Sequence, residues 1–405
     1  MKKNKFFSFI IAFFFFLIIL SDLFGAEEGT FSYGDEIISI LFFLYFLYCK
    51  LSYMKVRKTD SIILSCVIII ILIGLGGNFI YSFQTNMYVI CLDILSSFKY
   101  IFLFLGLNEF LNNKERNLNG LVVFLFSIYK LYMLIMFACA IANQFMDIGM
   151  SVEYRYGIKG FSFITYIPGI VISHCSYFLL FLLKEKKDRY YFWSIIAIFV
   201  MISTLKSRAF ILAAAYIFII IARDKKIKIN KMHVCVILLV LLIIGYPQFK
   251  VYFILNKSPR YVFLHNSIVL ANNYFPFGTG FSTYGTGTAA HHYSLVYYML
   301  GFDKLYGMGP EGNMFLCDTF FPAMLGQFGY IGFVIYVFLM AYFSYLVISK
   351  TQKNSIYVSI YFIIIIWISS IQSAYFTTSA MTCSLIICLI LTRSIPRKKR
   401  AGDKI

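Results

Sequence analysis

The chain has 405 residues, 60% of them hydrophobic and only 13% charged, with a mean hydropathy of +0.80. A soluble domain carries about twice that charged fraction, so the soluble globular class is excluded. Continuous apolar runs of about 18 residues or more mark a polytopic helical membrane protein, not a β-barrel, whose strands would alternate.

The formal net charge of +18 would suit nucleic acid if it were spread over one surface. Instead, 26 of the 36 Lys and Arg fall into clusters that recur after every second apolar run: Lys2 to Lys5, Lys50 to Lys58, Lys114 and Arg116, Lys184 to Arg189, Arg223 to Lys231, Lys350 and Lys353, and Arg393 to Lys404. The positive-inside rule makes these cytoplasmic, and no nucleic-acid partner is expected. The nine cysteines sit in or at the ends of apolar segments with no CxxC pair and no histidine at ligand spacing. Neither a metal site nor a disulfide framework is expected.

In chain order, a basic start leads into an apolar run from Phe6 to Leu23. A cleavage point after Ala26 would put Phe24 where a small residue is wanted, so we read a retained helix. Glu27, Glu28 and Asp35 then lie outside. The following spans are Glu36–Cys49, Ser61–Ile80, Met87–Leu111 and Gly120–Asn143. The fourth span carries Asp93 and Lys99 in its body, and the fifth carries Lys130. Asp93 and Lys99 are six apart and do not face each other, so each needs another partner or a water-filled cavity, with His174 a candidate neighbour. An outer loop, Gln144–Gly160, precedes a sixth span, Phe161–Leu183.

The run Tyr190–Ala222 is too long for one straight helix across a core of about 30 Å. We read a tight helical hairpin with Lys206-Ser207-Arg208 at its outer tip. A ninth span, His233–Tyr246, leads into a long polar stretch, Gln248–Asn313. Re-entry follows at Leu316–Ile348, then Ile356–Ser373, Phe376–Thr392 and a basic tail. The expectation is an all-α polytopic integral membrane protein of about 12 transmembrane helices, both termini cytoplasmic, with one large extracytoplasmic loop before the tenth helix. Its parts are residues 1–246, a loop at 247–315, and helices with a basic tail at 316–405. No internal repeat of the transporter type is present.

Ten basic residues break the topology rule: Lys99 and Lys130 within spans, and Arg155, Lys159, Lys206, Arg208, Lys250, Lys257, Arg260 and Lys304 at or beyond the outer edge. A guanidinium fork bonds two oxygens at once and stays charged, so Arg is the natural partner of a diphosphate. If the fold converges Arg155, Arg208 and Arg260, with Lys206 beside them, they form a strong site for an anion. The bland alternative is snorkelling to headgroups. The long stretch is rich in tyrosines, which suit sugar faces and headgroup belts alike. Its glycines at Phe277-Gly-Thr-Gly-Phe281 permit tight turns. No nucleotide-binding GxxxxGK[ST] pattern is present, and no cofactor is expected. His291 and His292 could hold or move a proton near neutral pH.

Three stretches together resemble the bacterial lipid-linked polysaccharide polymerases, the O-antigen and capsular repeat-unit polymerases related to the O-antigen ligases. They are Arg155-Tyr-Gly-Ile-Lys-Gly-Phe161; Thr204-Leu-Lys-Ser-Arg208 before an Ala-rich helix; and Asn273-Tyr-Phe-Pro-Phe-Gly-Thr-Gly-Phe281 followed by Asp318-Thr-Phe-Phe and Leu325-Gly-Gln-Phe-Gly-Tyr-Ile-Gly332. Where such proteins often carry Pro-Asn after the first stretch, this chain has Pro168-Gly169. The resemblance implies a glycosyltransferase at the outer side of a bacterial cytoplasmic membrane. It would join repeat units carried on undecaprenyl diphosphate, in company with a chain-length regulator and a flippase. Arg208, Arg155, Arg260 and Lys206 would hold the diphosphate. Asp318 is the first choice for the base that takes the acceptor's proton, with His291, His292 and Glu311 as alternatives. Ligase and flippase activities are the competing expectations.

Overall fold

The computed structural model describes residues 2–24, 33–53, 56–111, 118–155, 157–185, 187–225, 258–312 and 315–393. The expected ninth span at His233–Tyr246, and Lys250 and Lys257, lie outside the described residues. The described chain is almost all helix: α1 Lys2–Phe24, α2 Gly34–Tyr53, α3 Lys58–Tyr81, α4 Met87–Leu111, α5 Asn119–Phe145, α6 Pro168–Leu182, α7 Lys187–Ser203, α8 Ser207–Asp224, α9 Pro259–Asn273, two one-turn helices α10 Gly287–His291 and α11 Leu295–Met299, then α12 Phe320–Ser349, α13 Ile356–Gln372 and α14 Ser379–Arg393.

Five helical segments are long and apolar enough to cross a membrane: α3, α4, α5, α12, and α13 with the short turn that leads into it. Shorter apolar stretches lie in α1, α6, α7 and α14. Large apolar side chains point outward along these helices, with Phe79 90% exposed and Leu72 and Val334 also exposed. Water would not tolerate so much apolar surface, and lipid chains would.

Charged groups lock the packing of α2 beside α4. Lys99 pairs with Asp35, and with Glu36 at 2.6 Å, while Lys50 reaches Glu109 at 2.9 Å further along. The two helices therefore run parallel. Gly106 lets them touch, since a Cβ there would overlap the Phe42 carbonyl. Lys99 thus finds the partners it needed, but one of them corrects the sequence reading. Asp35 is not in an outer loop; it begins α2 and is buried against α4.

Two further expectations change. Part of the outer loop before the sixth span is an antiparallel hairpin, β1 Ser151–Arg155 and β2 Ile158–Phe161, a small exception to the all-α class. The sixth helix starts at Pro168, not Phe161, because proline favours the first helical turn, where no N–H is needed. The break between α7 and α8 falls at Thr204–Lys206, as the hairpin reading required, with Leu205 at φ 54° turning the chain.

The described part of the long stretch is compact. Thr279, Phe281, Ser282, Thr283 and Tyr284 are fully buried, so the glycine turn plugs into the bundle and is not a solvated outer loop. Its seat is a break in α12. Gly329 adopts φ 61°, ψ −172°, a region essentially reserved for glycine, which releases carbonyls of the preceding turn. The loop satisfies them: Thr279 N–H donates to the Gly326 carbonyl at 3.1 Å and Gly280 N–H to that of Gln327 at 2.9 Å. From α3, Asn78 holds Phe281 at both its N–H (2.7 Å) and its carbonyl (2.9 Å).

Candidate functional site

The end of α13 gathers the basic side chains. Arg208, in the first turn of α8, donates to Ser373 Oγ at 3.2 Å and to the Gly169 carbonyl of α6 at 3.0 Å. Arg260, in the first turn of α9, donates to the Gln372 carbonyl at 3.2 Å. The residue between Lys206 and Arg208 joins in, as Ser207 Oγ accepts from Gln372 Nε2 at 3.2 Å. Side chains from two separate segments thus meet on two consecutive residues. The two guanidinium groups lie close enough to repel each other.

Arg208 is only 7% exposed, and its hydrogen bonds to Ser373 and Gly169 both go to neutral acceptors. Among the described residues it has no carboxylate partner. The sequence placed it at the outer tip of a hairpin; the packing of α6 and α13 buries it there. A guanidinium withdrawn from water without a counter-charge is costly, and an anionic ligand would offset that cost.

Arg260 differs, because Asp318 stands 3.8 Å away. Asp318 is 36% exposed, in the turn before α12. Partial burial raises its pKa above the ordinary carboxylate value, and the charges of Arg260 and Lys206 only partly oppose that. Lys206 is therefore near enough to influence Asp318 although no bond joins them.

Arg155 reaches this end through the β-hairpin. Glu153 accepts from Arg155 at 2.8 Å and from Lys206 at 3.0 Å, bridging the two basic segments. Burial works against ionisation of Glu153, but Lys206 and Arg155 outweigh it and hold the carboxyl below its ordinary range. The hairpin is fixed in turn by Gln144, which bonds both the N–H and the carbonyl of Lys159. Four cations, Arg155, Lys206, Arg208 and Arg260, thus stand with two carboxylates, Glu153 and Asp318, leaving a surplus of two positive charges.

The histidines stand apart. His291 and His292 are exposed at the end of α10, their rings 5.1 Å apart, with no contact to the arginines among the described residues. Burial, then the neighbouring His291, lowers the pKa of His292. Glu311 is exposed in a turn. None of the three joins the cluster.

The intramembrane charges have structural partners. Asp93 accepts from Ser282 N–H at 2.7 Å, Thr288 Oγ1 at 2.6 Å and Gln327 Nε2 at 3.1 Å, anchoring the glycine turn to α4 and α12. Lys130 lies over the Phe126 ring at 4.2 Å. His174 meets neither Asp93 nor Lys99: Tyr132 Oη lies 2.8 Å from its Nδ1 and Asp22 Oδ2 3.6 Å from its Nε2.

Sequence reasoning missed Glu153, Gln372, Ser373 and Gly169, which connect or hold the basic residues. The signal available was a polar pair, Gln372-Ser373, closing an apolar run. Comparison of the chain with protein-family models and with curated proteins returns no match.

Proposed function

We propose that this protein is a polysaccharide polymerase of the outer face of a bacterial cytoplasmic membrane, a glycosyltransferase that joins repeat units carried on a lipid diphosphate. The carrying observation is Arg208: a buried guanidinium with neutral acceptors only, beside Arg260, at one end of an apolar helical bundle. That arrangement suits a diphosphate whose lipid lies in the bilayer and whose sugar lies beyond it. Twelve spans, cytoplasmic termini and an extracytoplasmic position for this end belong to the same reading, supported by the charge pattern of the sequence.

In this reading an acceptor hydroxyl of one repeat unit attacks the anomeric carbon of the growing glycan. The glycosidic bond forms as the bond from that carbon to the diphosphate oxygen breaks, and the lipid diphosphate leaves with the electron pair. Arg208 and Arg260 stabilise the charge that develops on it, and Arg155 and Lys206 add to the field. Asp318, in its ionised form, takes the hydroxyl proton. Its raised pKa makes it a better base than an ordinary carboxylate. His291 and His292 have no part in this step.

The test is the surface-polysaccharide pattern of a strain lacking the gene. Product carrying a single repeat unit supports polymerase function. Full-length polymer not attached to its acceptor would indicate a ligase, and accumulation of cytoplasmic lipid-linked precursor a flippase.

A further inference from the structure

A second cationic cluster occupies the opposite end of the bundle, where α3, α4, α12 and α14 come together. Arg393 closes α14 and is 6% exposed. Its Nε, Nη1 and Nη2 are all buried and none has a hydrogen-bond partner among the described residues. Lys350, just past α12, has a buried Nζ in the same condition. Both cations face one ring: the Arg393 guanidinium carbon lies 5.4 Å from the Phe104 centroid and Lys350 Nζ 5.8 Å from it.

Of the nearby carboxylates, Glu109 is engaged, accepting from Lys50 at 2.9 Å and from Arg57 at 3.0 Å, while the buried Asp60 has Lys50 3.4 Å from its Oδ2 and no hydrogen bond to that oxygen among the described residues. Four cations with two anions leave a surplus of two, and among the described residues neither Arg393 nor Lys350 has a carboxylate in salt-bridge contact. A ring face offsets part of the cost of a buried cation and supplies no hydrogen-bond acceptor. Arg57, 42% exposed in its side chain, marks the open side of the cluster.

We propose that Arg393 and Lys350 form a binding site for a phosphate oxyanion. The guanidinium fork would take two phosphate oxygens and the ammonium a third. Basic pockets between helices at a membrane edge suit anionic lipid headgroups. Free phosphate offers the same oxygens. The site is separate from the arginine pair at the other end and does not depend on the function proposed for that pair.

The test uses the full-length protein purified in neutral detergent. Binding of phosphatidylglycerol and of phosphatidylcholine is counted by native mass spectrometry, and melting temperature is followed with each lipid and with millimolar inorganic phosphate. The wild type should bind phosphatidylglycerol in preference to phosphatidylcholine and melt higher with it. Arg393→Gln and Lys350→Gln should each bind it about tenfold more weakly, the loss of one charge-assisted contact. In detergent without any phosphate, Arg393→Gln should be at least as stable as the wild type, because it removes an uncompensated buried charge. The order should reverse with the anion present, a crossover that a purely structural arginine would not give. Stabilisation by phosphatidylglycerol alone assigns the site to a lipid headgroup; equal stabilisation by inorganic phosphate assigns it to a soluble anion. Should either variant fail to fold, the wild type and the other variant still decide. The proposal is overturned if the wild type shows no preference for phosphatidylglycerol and no response to phosphate, or if a folded variant binds as the wild type does.

Discussion

Arg208 and Arg260 converge on neighbouring residues of one helix end: the first donates to Ser373 Oγ and the second to the Gln372 carbonyl, each at 3.2 Å. Like charges do not gather at a buried position without cause. Here the cause is covalent and helical: α8 and α9 each carry an arginine in the first turn, and α13 ends between them. The surplus charge is what an anionic substrate would find there.

Gly169 sets the position of one of those guanidinium groups. A Cβ on Gly169 would stand 3.0 Å from Arg208 Nη2, and the Gly169 carbonyl is one of that arginine's acceptors. On the proposed function, Gly169→Ala is expected to shift the guanidinium by a few tenths of an ångström and lower transfer activity by up to about 10-fold, a fraction of the roughly 100-fold that a 1 Å misplacement can cost. Alanine is a good helix former, so the melting temperature should not fall. Wild-type activity in the variant would show that Arg208 tolerates displacement.

Asp318 predicts a pH profile. Burial raises its pKa while Arg260 and Lys206 pull it down, so the basic form appears only as pH rises through a value above the ordinary carboxylate range. Transfer activity should therefore fall, as pH is lowered, earlier than an ordinary aspartate would dictate. Removing one opposing charge by Arg260→Gln should move that acid limb to still higher pH. An acid limb that stays in place in Asp318→Asn would assign it to another group.

The triad of Lys99, Asp35 and Glu36 holds α2 against α4. Lys99→Met leaves two carboxylates buried without their cation, and should destabilise the protein by about 3–5 kcal/mol. Neutralising the acids as well, with Asp35→Asn and Glu36→Gln, should recover much of that loss. Thermal melts of the single and triple variants in detergent would measure it; additive losses would mean the groups do not interact.

Gly329 is the hinge on which the glycine turn is seated. Alanine at φ 61°, ψ −172° costs about 1–3 kcal/mol of backbone strain, and its Cβ would stand 2.7 Å from the Pro276 carbonyl. Gly329→Ala is expected to lower the melting temperature and expose the turn around Gly278 to limited proteolysis. An unchanged digestion pattern would show that the turn is held by Asn78 and Asp93 alone.

Hydropathy and charge placement were enough to locate most of the helices, because the cost of burying backbone and charge in lipid acts on every span alike. The α7–α8 turn at Lys206 was legible for that reason; the sequence named Arg155, Arg208 and Arg260 as a group only on the condition that the fold converges them, and the structure brings Arg208 to Arg260 while Arg155 meets Lys206 through Glu153. What escaped was depth. Asp35 looked like part of an acidic outer loop with Glu27 and Glu28, yet it starts a helix beside Lys99, and no local pattern reports that. The glycine turn around Gly280 is polar in sequence and buried in the fold, since its partners are carbonyls freed some fifty residues later at Gly329. The β-hairpin did leave a trace, the alternation of Ser151, Val152, Glu153 and Tyr154, too short to stand out. His291 and His292 form a suggestive pair in sequence, but they sit at the exposed end of a one-turn helix whose Ala289 and Ala290 are buried, without contact to the arginines among the described residues.

The most direct measurement is the chain length of surface polysaccharide in a deletion strain complemented with Arg208→Ala, with membrane insertion of the variant verified. Loss of one preorganised cation at a developing diphosphate should cost about 10²- to 10³-fold in rate. High-order polymer should disappear while single repeat units remain attached to their acceptor. Polymer of unchanged length from the inserted variant would contradict both the role given to Arg208 and the function built on it.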